Sequence, residues 1–364
     1  MNDTDAAIGF SAFPGIGPVR YRLLVSAFGS PLDAWNAPLA HLRETGLPET
    51  LCRSFDRFRS EFSIASYTEK LASRSIVALP IFDPRYPPPL RTITDPPIVL
   101  YVRGKKKGNL IDFSKSVGVV GTRMPTSYGR EMTRRIVSVL VDAGCPVISG
   151  MALGIDALAH QQTISLGGQT VAVLGCGVDI IAPLSNARIY DSLVAGGHGA
   201  VVSEMPLSHR PSKGIFPARN RIISGMASCV VVIEGTKKSG SLITARYAAD
   251  QGREVFAVPG PATSPYSEGP NELVKNGAYV ATTGYEILDV LHISRHEPHA
   301  PQTDDCATEI ERKILSFLRE RGPHPIDDIA HALSLPASGL LADLSILELR
   351  GSIRDHGGKV YGIV

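Results

Sequence analysis

Between Ser116 and Gly260 short apolar runs alternate with amphipathic segments, and nearly every apolar run ends in glycine or serine. SVGVVGTR, PVISG, TVAVLGCG, AVVSE, VVVIE and EVFAVPG are mainly apolar up to those ends, and VVVIE is also β-branched, which suits strands buried on both faces. The segments between them have helical spacing: over Tyr128 to Ala143, Met132, Ile136, Val139 and Leu140 fall on one face. MALGIDALAHQQTISLG predicts a second helix, entered through a Gly-containing turn. Strands alternating with helices predict a parallel sheet covered on both sides, a Rossmann-like α/β core. The turns GTR, SG, GCG, SE, GTKKSGS and PG then share the carboxyl edge of that sheet, where open α/β sheets bind their ligands.

Phe216 to Arg246 concentrates the parts that hold phosphates. Arg219, Asn220 and Arg221 open a helix, Val230 to Glu234 is a strand, Gly235 to Gly240 turns the chain, and Ser241 to Asp250 is the next helix. Such a turn leaves backbone N–H groups pointing outward at a helix N-terminus and binds anions without a special side chain. Lys237 and Lys238 add positive charge there. With the upstream turns, the candidate phosphate-holding set is Gly121, Thr122, Arg123, Ser149, Gly150, Lys213, Arg219, Asn220, Arg221, Lys237, Ser239, Gly240 and Ser241. Phe216, between Lys213 and Arg219, is either a stacking platform for a single-stranded base or core beneath a loop. Asp156 and His160 share one helix face; they either orient the preceding loop or form an acid–base pair. Glu204, after its strand, is placed to accept hydrogen bonds from the same loops.

This edge is poor in chemistry. No G-x-x-x-x-G-K-[ST] and no G-x-G-x-x-G with a following acid occurs, and no nucleophile–base pairing is legible. The net charge is only +2, so any nucleic acid must be met by basic residues gathered locally. The five cysteines are scattered without a C-x-x-C pair, which predicts reduced thiols, a cytoplasmic setting and no metal site or cofactor. No signal peptide and no membrane span is expected.

Residues 1–75 predict a small helical domain, with Pro14-Gly15-Ile16-Gly17-Pro18 breaking two apolar-periodic segments. That turn is either a helix-hairpin-helix whose amides approach a DNA phosphate or a tight turn inside a packing module. Residues 76–115 are proline-dense and predict a connector lying on the next domain, with short strands at Val77 to Ile81 and Ile98 to Val102 and a solvated loop at Lys105 to Lys107. The α/β domain closes at 292, and 293–307 predict a linker. Residues 308–364 predict three helices and a hairpin turning at Gly357-Gly358, a winged helix. Its third helix offers few basic residues, so duplex DNA and a protein surface are both open as its partner.

VGVVGTRMPTSYG, VISGMALGIDALAH, VAVLGCGVD, VVSEMP, FPARNRIISGMA, VVVIEGTKKSGSLITARYAADQGREVFAVPG and GPNELVKNGA occur in the same order as in the DprA/Smf (DNA processing protein A) family, which this chain resembles from Ile76 to Leu291. The resemblance implies a Rossmann-like domain that binds single-stranded DNA, protects incoming DNA in natural transformation and loads the RecA recombinase onto it. It implies a homodimer joined through that domain, a SAM-like N-terminal domain, no enzymatic activity, and a DNA pocket built from Arg123, Lys213, Phe216, Arg219, Arg221 and the Ser239–Ser241 turn. The chain departs from the pattern at Ala182-Pro183, where the family commonly has Tyr-Pro. An alternative on a related Rossmann-like fold is a nucleotide-processing enzyme of the phosphoribohydrolase type, with Asp156, His160 and Glu204 as its chemistry. The GTKKSGS turn does not match the loop such enzymes carry.

Overall fold

The apolar runs are apolar throughout because each becomes a strand roofed twice. The computed structural model describes residues 1–104, 111–212, 214–294, 308–349 and 352–363, with the backbone alone at 215, 216, 337, 338 and 349. The parallel strands are β3 (Val117–Val120), β4 (Val147–Ser149), β5 (Thr170–Val173), β6 (Gly199–Ser203), β7 (Cys229–Val232), β8 (Glu254–Ala257) and β9 (Tyr279–Val280). They stand in the order β6-β5-β4-β3-β7-β8-β9. The proline-dense segment supplies β1 (Ile76–Pro80) and β2 (Val99–Gly104), an antiparallel pair that continues the sheet beyond β6. The expected connector is therefore part of the sheet itself, its prolines confined to the loop around the helix α7 (Pro88–Arg91) and to the end of an edge strand. The lysines at 105–107 lie outside the described residues.

Successive strand residues feed opposite cores. Val120, Ile148, Val230 and Val232 pack toward α11 (Ile215–Met226) and α12 (Gly240–Asp250), through Ile222, Ile223, Met226 and Ala248. Val117, Val119, Val147 and Val231 pack toward α8 (Ser127–Asp142), α9 (Ile155–Ser165) and α14 (Tyr285–Val290). On the same face as these helices, α10 (Ala187–Ala195) and the N-terminal helices α1 (Asp3–Ala12) to α6 (Ile64–Ser73) cover β1, β2, β5 and β6. Between α1 and α6 lie α2 (Pro18–Phe28), α3 (Pro31–Asn36), α4 (Leu39–Glu44) and α5 (Glu49–Glu61). Phe10 and Phe55 stack at the centre of that module, with Trp35 edge-on to both. Its core is continuous with the sheet through Tyr101, whose hydroxyl shares a 2.6 Å hydrogen bond with Ser11 Oγ. The last parallel unit is completed by α13 (Glu268–Lys275) between β8 and β9.

The chain divides into two compact units, Met1–Arg295 and His296–Val364. The second is a winged helix: α15 (Glu309–Arg321), α16 (Ile326–Leu333) and α17 (Ala337–Leu349) against a sheet of β10 (His324–Pro325), β12 (Val360–Ile363) and β11 (Ile353–Asp355). Ile314, Leu318, Ile329, Leu344 and Leu347 are its core. Among the described residues no helix is long and apolar enough to cross a membrane. Cys52, Cys145, Cys176 and Cys229 are buried and unpaired, and Cys306 lies outside the described residues.

Candidate nucleic-acid interface

β3 and β7 are neighbours, yet the chain runs from β3 through β4, β5 and β6 on one side before returning as β7 on the other. This is the topological switch point, and it opens a crevice at the carboxyl ends of the two strands. Their loops are bolted together. Thr122 N donates to the Glu234 carbonyl at 2.7 Å, and Ile155 N donates to the Thr122 carbonyl at 3.1 Å. The buried carboxylate of Glu234 accepts from Thr126 N at 2.9 Å and from Thr126 Oγ1 at 2.6 Å. Thr126 also caps α8, so one acidic side chain at the end of β7 fixes the GTR turn and the helix behind it. A Cβ at Gly121 would lie 2.6 Å from Ile155 Cγ1, which is why that turn can approach the α9 N-terminus only as glycine.

The crevice holds a cleft of about 400 Å³. Gly121, Thr122 and Arg123 form one wall, and the Ser239–Ser241 turn forms the other. Ser239 caps α12, so the helix presents its N-terminal amides and positive dipole end at this turn. Asn220 Nδ2 donates to the Gly240 carbonyl at 3.2 Å and holds the turn against α11. Arg219 lies at the base, only 6% exposed, with its Nε unpartnered. A Cβ on Gly150 would fall 1.5 Å from Arg219 Nη1, so the guanidinium rests on bare backbone. Burial pulls the Arg219 pKa down, and the Asp156 carboxylate pushes it back up. A guanidinium stays protonated under such pressure, so this is a buried cation lining the cleft.

Asp156 sits in the first turn of α9 and accepts from Gly150 N at 3.1 Å and Ala152 N at 3.4 Å. Burial raises its pKa, while Arg219 above all, the two amides and Arg123 oppose the rise. The Gly150 amide is therefore spent on Asp156, and Gly150 contributes clearance instead of a donor. His160 is fully buried, with Nδ1 at 2.7 Å from Thr170 Oγ1. Thr170 Oγ1 donates to the Val147 carbonyl, so the hydrogen of the first contact comes from the imidazole, and Nε2 is left without a partner. Burial pushes the imidazole pKa down to about 3. Asp156 faces the loop and His160 faces the sheet, and the two make no hydrogen-bonded pair.

Two expected phosphate-holding residues, Arg221 and Ser149, are placed elsewhere. Arg221 is buried away from the cleft: its Nη2 donates to Glu204 Oε2 at 2.6 Å, and its Nε lies 3.1 Å from Asp95 Oδ2. Positions two apart on a helix differ by roughly 200° in direction, so Arg219 and Arg221 cannot both face one cleft. Glu204 accordingly serves Arg221 and not the strand-end loops. The Ser149 hydroxyl donates to the Val119 carbonyl at 2.6 Å inside the sheet. Lys237 is exposed in the turn after β7. Lys213 and the side chain of Phe216 lie outside the described residues. The cleft also has an apolar rim that spacing did not reveal: Met124 and Ile243 are exposed there, beside Tyr266. Exposed large apolar side chains just after a GTR turn and just inside a helix start were the available signal.

The sequence pattern of the family described as DNA recombination-mediator protein A matches residues 78–292. The chain belongs to that family. The DprA winged helix domain matches residues 297–359. Among the most similar DprA and Smf relatives, protein Smf from Synechocystis sp. is 36% identical over 97% of this chain and 97% of its own. DNA processing protein A from Streptococcus pneumoniae superposes with a TM-score of 0.67 at 30% identity, covering 79% of this chain and 98% of that one. The Helicobacter pylori DprA superposes with a TM-score of 0.54 at 29% identity, covering 61% of this chain and 97% of that one.

Proposed function

We propose that the switch-point cleft binds single-stranded DNA, gripping phosphates and tolerating any base. The observation that carries this reading is Arg219, a buried cation with an unpartnered Nε, placed opposite the N-terminus of α12 and beside Arg123. Phosphate is the ligand those groups complement. The apolar rim of Met124, Ile243 and Tyr266 supplies faces for bases, and such contacts are tolerant of sequence. The Helicobacter pylori relative is described as having a single-stranded DNA binding mode, which agrees with this assignment. Lys213, Phe216 and Lys237 join the interface in the proposal, Phe216 as a stacking ring.

The wider role rests on family membership. We infer a non-enzymatic, cytoplasmic homodimer that protects incoming DNA in natural transformation and loads RecA onto it. Residues 76–292 carry the strand, 1–75 form the SAM-like domain, and 308–364, beyond a linker at 293–307, contact duplex DNA or a protein. The geometry does not favour the phosphoribohydrolase alternative, because Asp156 is spent on two backbone amides and His160 on Thr170.

The test is fluorescence anisotropy of labelled oligo-dT against duplex of equal length at two salt concentrations. Tight, salt-sensitive binding to the single strand is expected, weakened at least tenfold in Arg219→Ala and Arg123→Ala. Preference for duplex, unaffected by either change, would refute the cleft as the site.

A further inference from the structure

The proline-dense segment and the N-terminal helices enclose a groove that single-strand binding does not use. It lies between α2 and the loop joining β1 to β2, holds about 290 Å³, and shares no lining residue with the cleft. β2 runs antiparallel to β6, so this loop emerges at the same carboxyl edge as the cleft. It stands four strand spacings from β3, roughly 19 Å away.

The groove is apolar and its apolar surface continues outward. Pro18, Tyr21 and Val25 recur at helical spacing on one face of α2 and lie opposite Ile81 and Ile98. Val19 and Leu23 follow round the same helix and are 65% and 44% exposed. Phe82, next to Ile81, is 47% exposed. Large apolar side chains gathered at one hollow, rather than scattered singly, are what a contact surface presents.

The charge of the groove has one sign. Its only charged lining side chains are Arg22 and Arg91, both exposed. Each is steadied by one nitrogen: Arg22 Nη2 donates to the Thr94 carbonyl at 2.8 Å, and Arg91 Nη2 donates to the Asp83 carbonyl at 2.8 Å. Neither is ion-paired with a described carboxylate, because the two acids of that loop are committed to other partners: Asp83 to Arg85, and Asp95 to Arg221. Tyr21, 6% exposed, adds a buried hydroxyl with no hydrogen-bond partner. Burial above all, and the Asp3 carboxylate after it, raise the pKa of that hydroxyl, so it remains a donor.

We propose that this groove docks an acidic peptide segment of a partner protein, with an aromatic or leucine side chain between α2 and the loop and a neighbouring carboxylate on Arg22 and Arg91. Two guanidinium groups held on carbonyls, with no acid beside them, complement a carboxylate. A nucleic-acid backbone would satisfy the arginines but set phosphates against Val19, Leu23 and Phe82, whereas an acidic peptide with an apolar anchor covers both.

The test uses the full chain and a labelled peptide carrying one phenylalanine between two pairs of aspartates, capped at both ends. Saturable binding by fluorescence anisotropy is expected, weakened about tenfold in Arg22→Gln and in Arg91→Gln. Glutamine keeps a donor for the Thr94 and Asp83 carbonyls and removes only the charge. Replacing the aspartates by asparagine, or the phenylalanine by alanine, should also weaken binding to the native chain about tenfold. Oligo-dT affinity should stay native in both variants, since neither arginine lines the cleft. No saturable binding, or equal affinity for the neutral peptide or for both variants, overturns the proposal and leaves the cleft intact. A loss of oligo-dT affinity in both variants assigns the two arginines to nucleic acid and overturns it as well. If the variants do not fold, the peptide series on the native chain decides alone.

Discussion

At the scale of single residues, Gly150 and His160 make separable predictions. A methyl at Gly150 would fall 1.5 Å from Arg219 Nη1, in a site where burial leaves the guanidinium little room to retreat. Gly150→Ala should weaken single-strand binding at least tenfold at a stability cost of about 1–3 kcal/mol, as overpacking does; anisotropy and a thermal melt read the two effects. His160 is neutral in the folded chain and charged when unfolded at any pH between about 3 and its ordinary value of 6.5. The unfolded chain then binds the extra proton, so the stability from the neutral imidazole is complete above 6.5 and falls by about 1.4 kcal/mol per pH unit below it. His160→Gln should flatten that part of the stability profile in urea titrations from pH 7 to 4.5. An unchanged slope would mean that other groups carry the acid sensitivity. Much of this was legible in the sequence, because glycine and serine at strand ends place a phosphate-sized crevice on one edge. The division of labour between Arg219 and Arg221 was also available, since residues two apart on a helix diverge. Which of the two turned inward was not, because it depends on Asp95 and Glu204, distant in the chain.

At the scale of elements, the site is a meeting of loops, and Glu234 is the member that ties them. It reads in the sequence only as the acid that ends an apolar strand. In the fold it accepts both hydrogen bonds offered by Thr126 and fills the space against Gly129, where a Cβ would lie 2.1 Å from its Oε2. Strand pairing between β3 and β7 creates that juxtaposition across more than a hundred residues, and no local pattern records it. Glu234→Ala leaves the part-buried Thr126 amide and hydroxyl without their acceptor, so about 1–3 kcal/mol of stability should go with it. Because the same residue positions the GTR turn, binding should weaken beyond what the loss of folded protein explains. Titration of the variant at a temperature where it remains folded checks this; wild-type affinity there would confine Glu234 to stability. The hairpin of β1 and β2 shows the same limit on sequence reading. Its prolines predict irregular chain correctly, but its strands gain their place only through pairing with β6.

At the scale of the whole molecule, the cleft is built entirely within Met1–Arg295, from elements that pack around one sheet. The winged helix has its own core, centred on Ile314, Ile329 and Leu344. Its α17 exposes Leu341 and Ile346 rather than cations, a surface with little to offer phosphates. Removing 296–364 should therefore leave oligo-dT affinity within about twofold and the salt dependence unchanged, since no phosphate contact is lost. Arg123→Ala in the truncated protein should still lower the slope of log K against log salt by about 0.7, the value for one phosphate contact on a single strand. The two manipulations then act on different quantities: the point change on the electrostatics of the strand, the truncation on whatever the second unit recruits. A truncation that itself lowered the slope by one or more contacts would place phosphates on the winged helix, and the binding site would have to be redrawn to include both units.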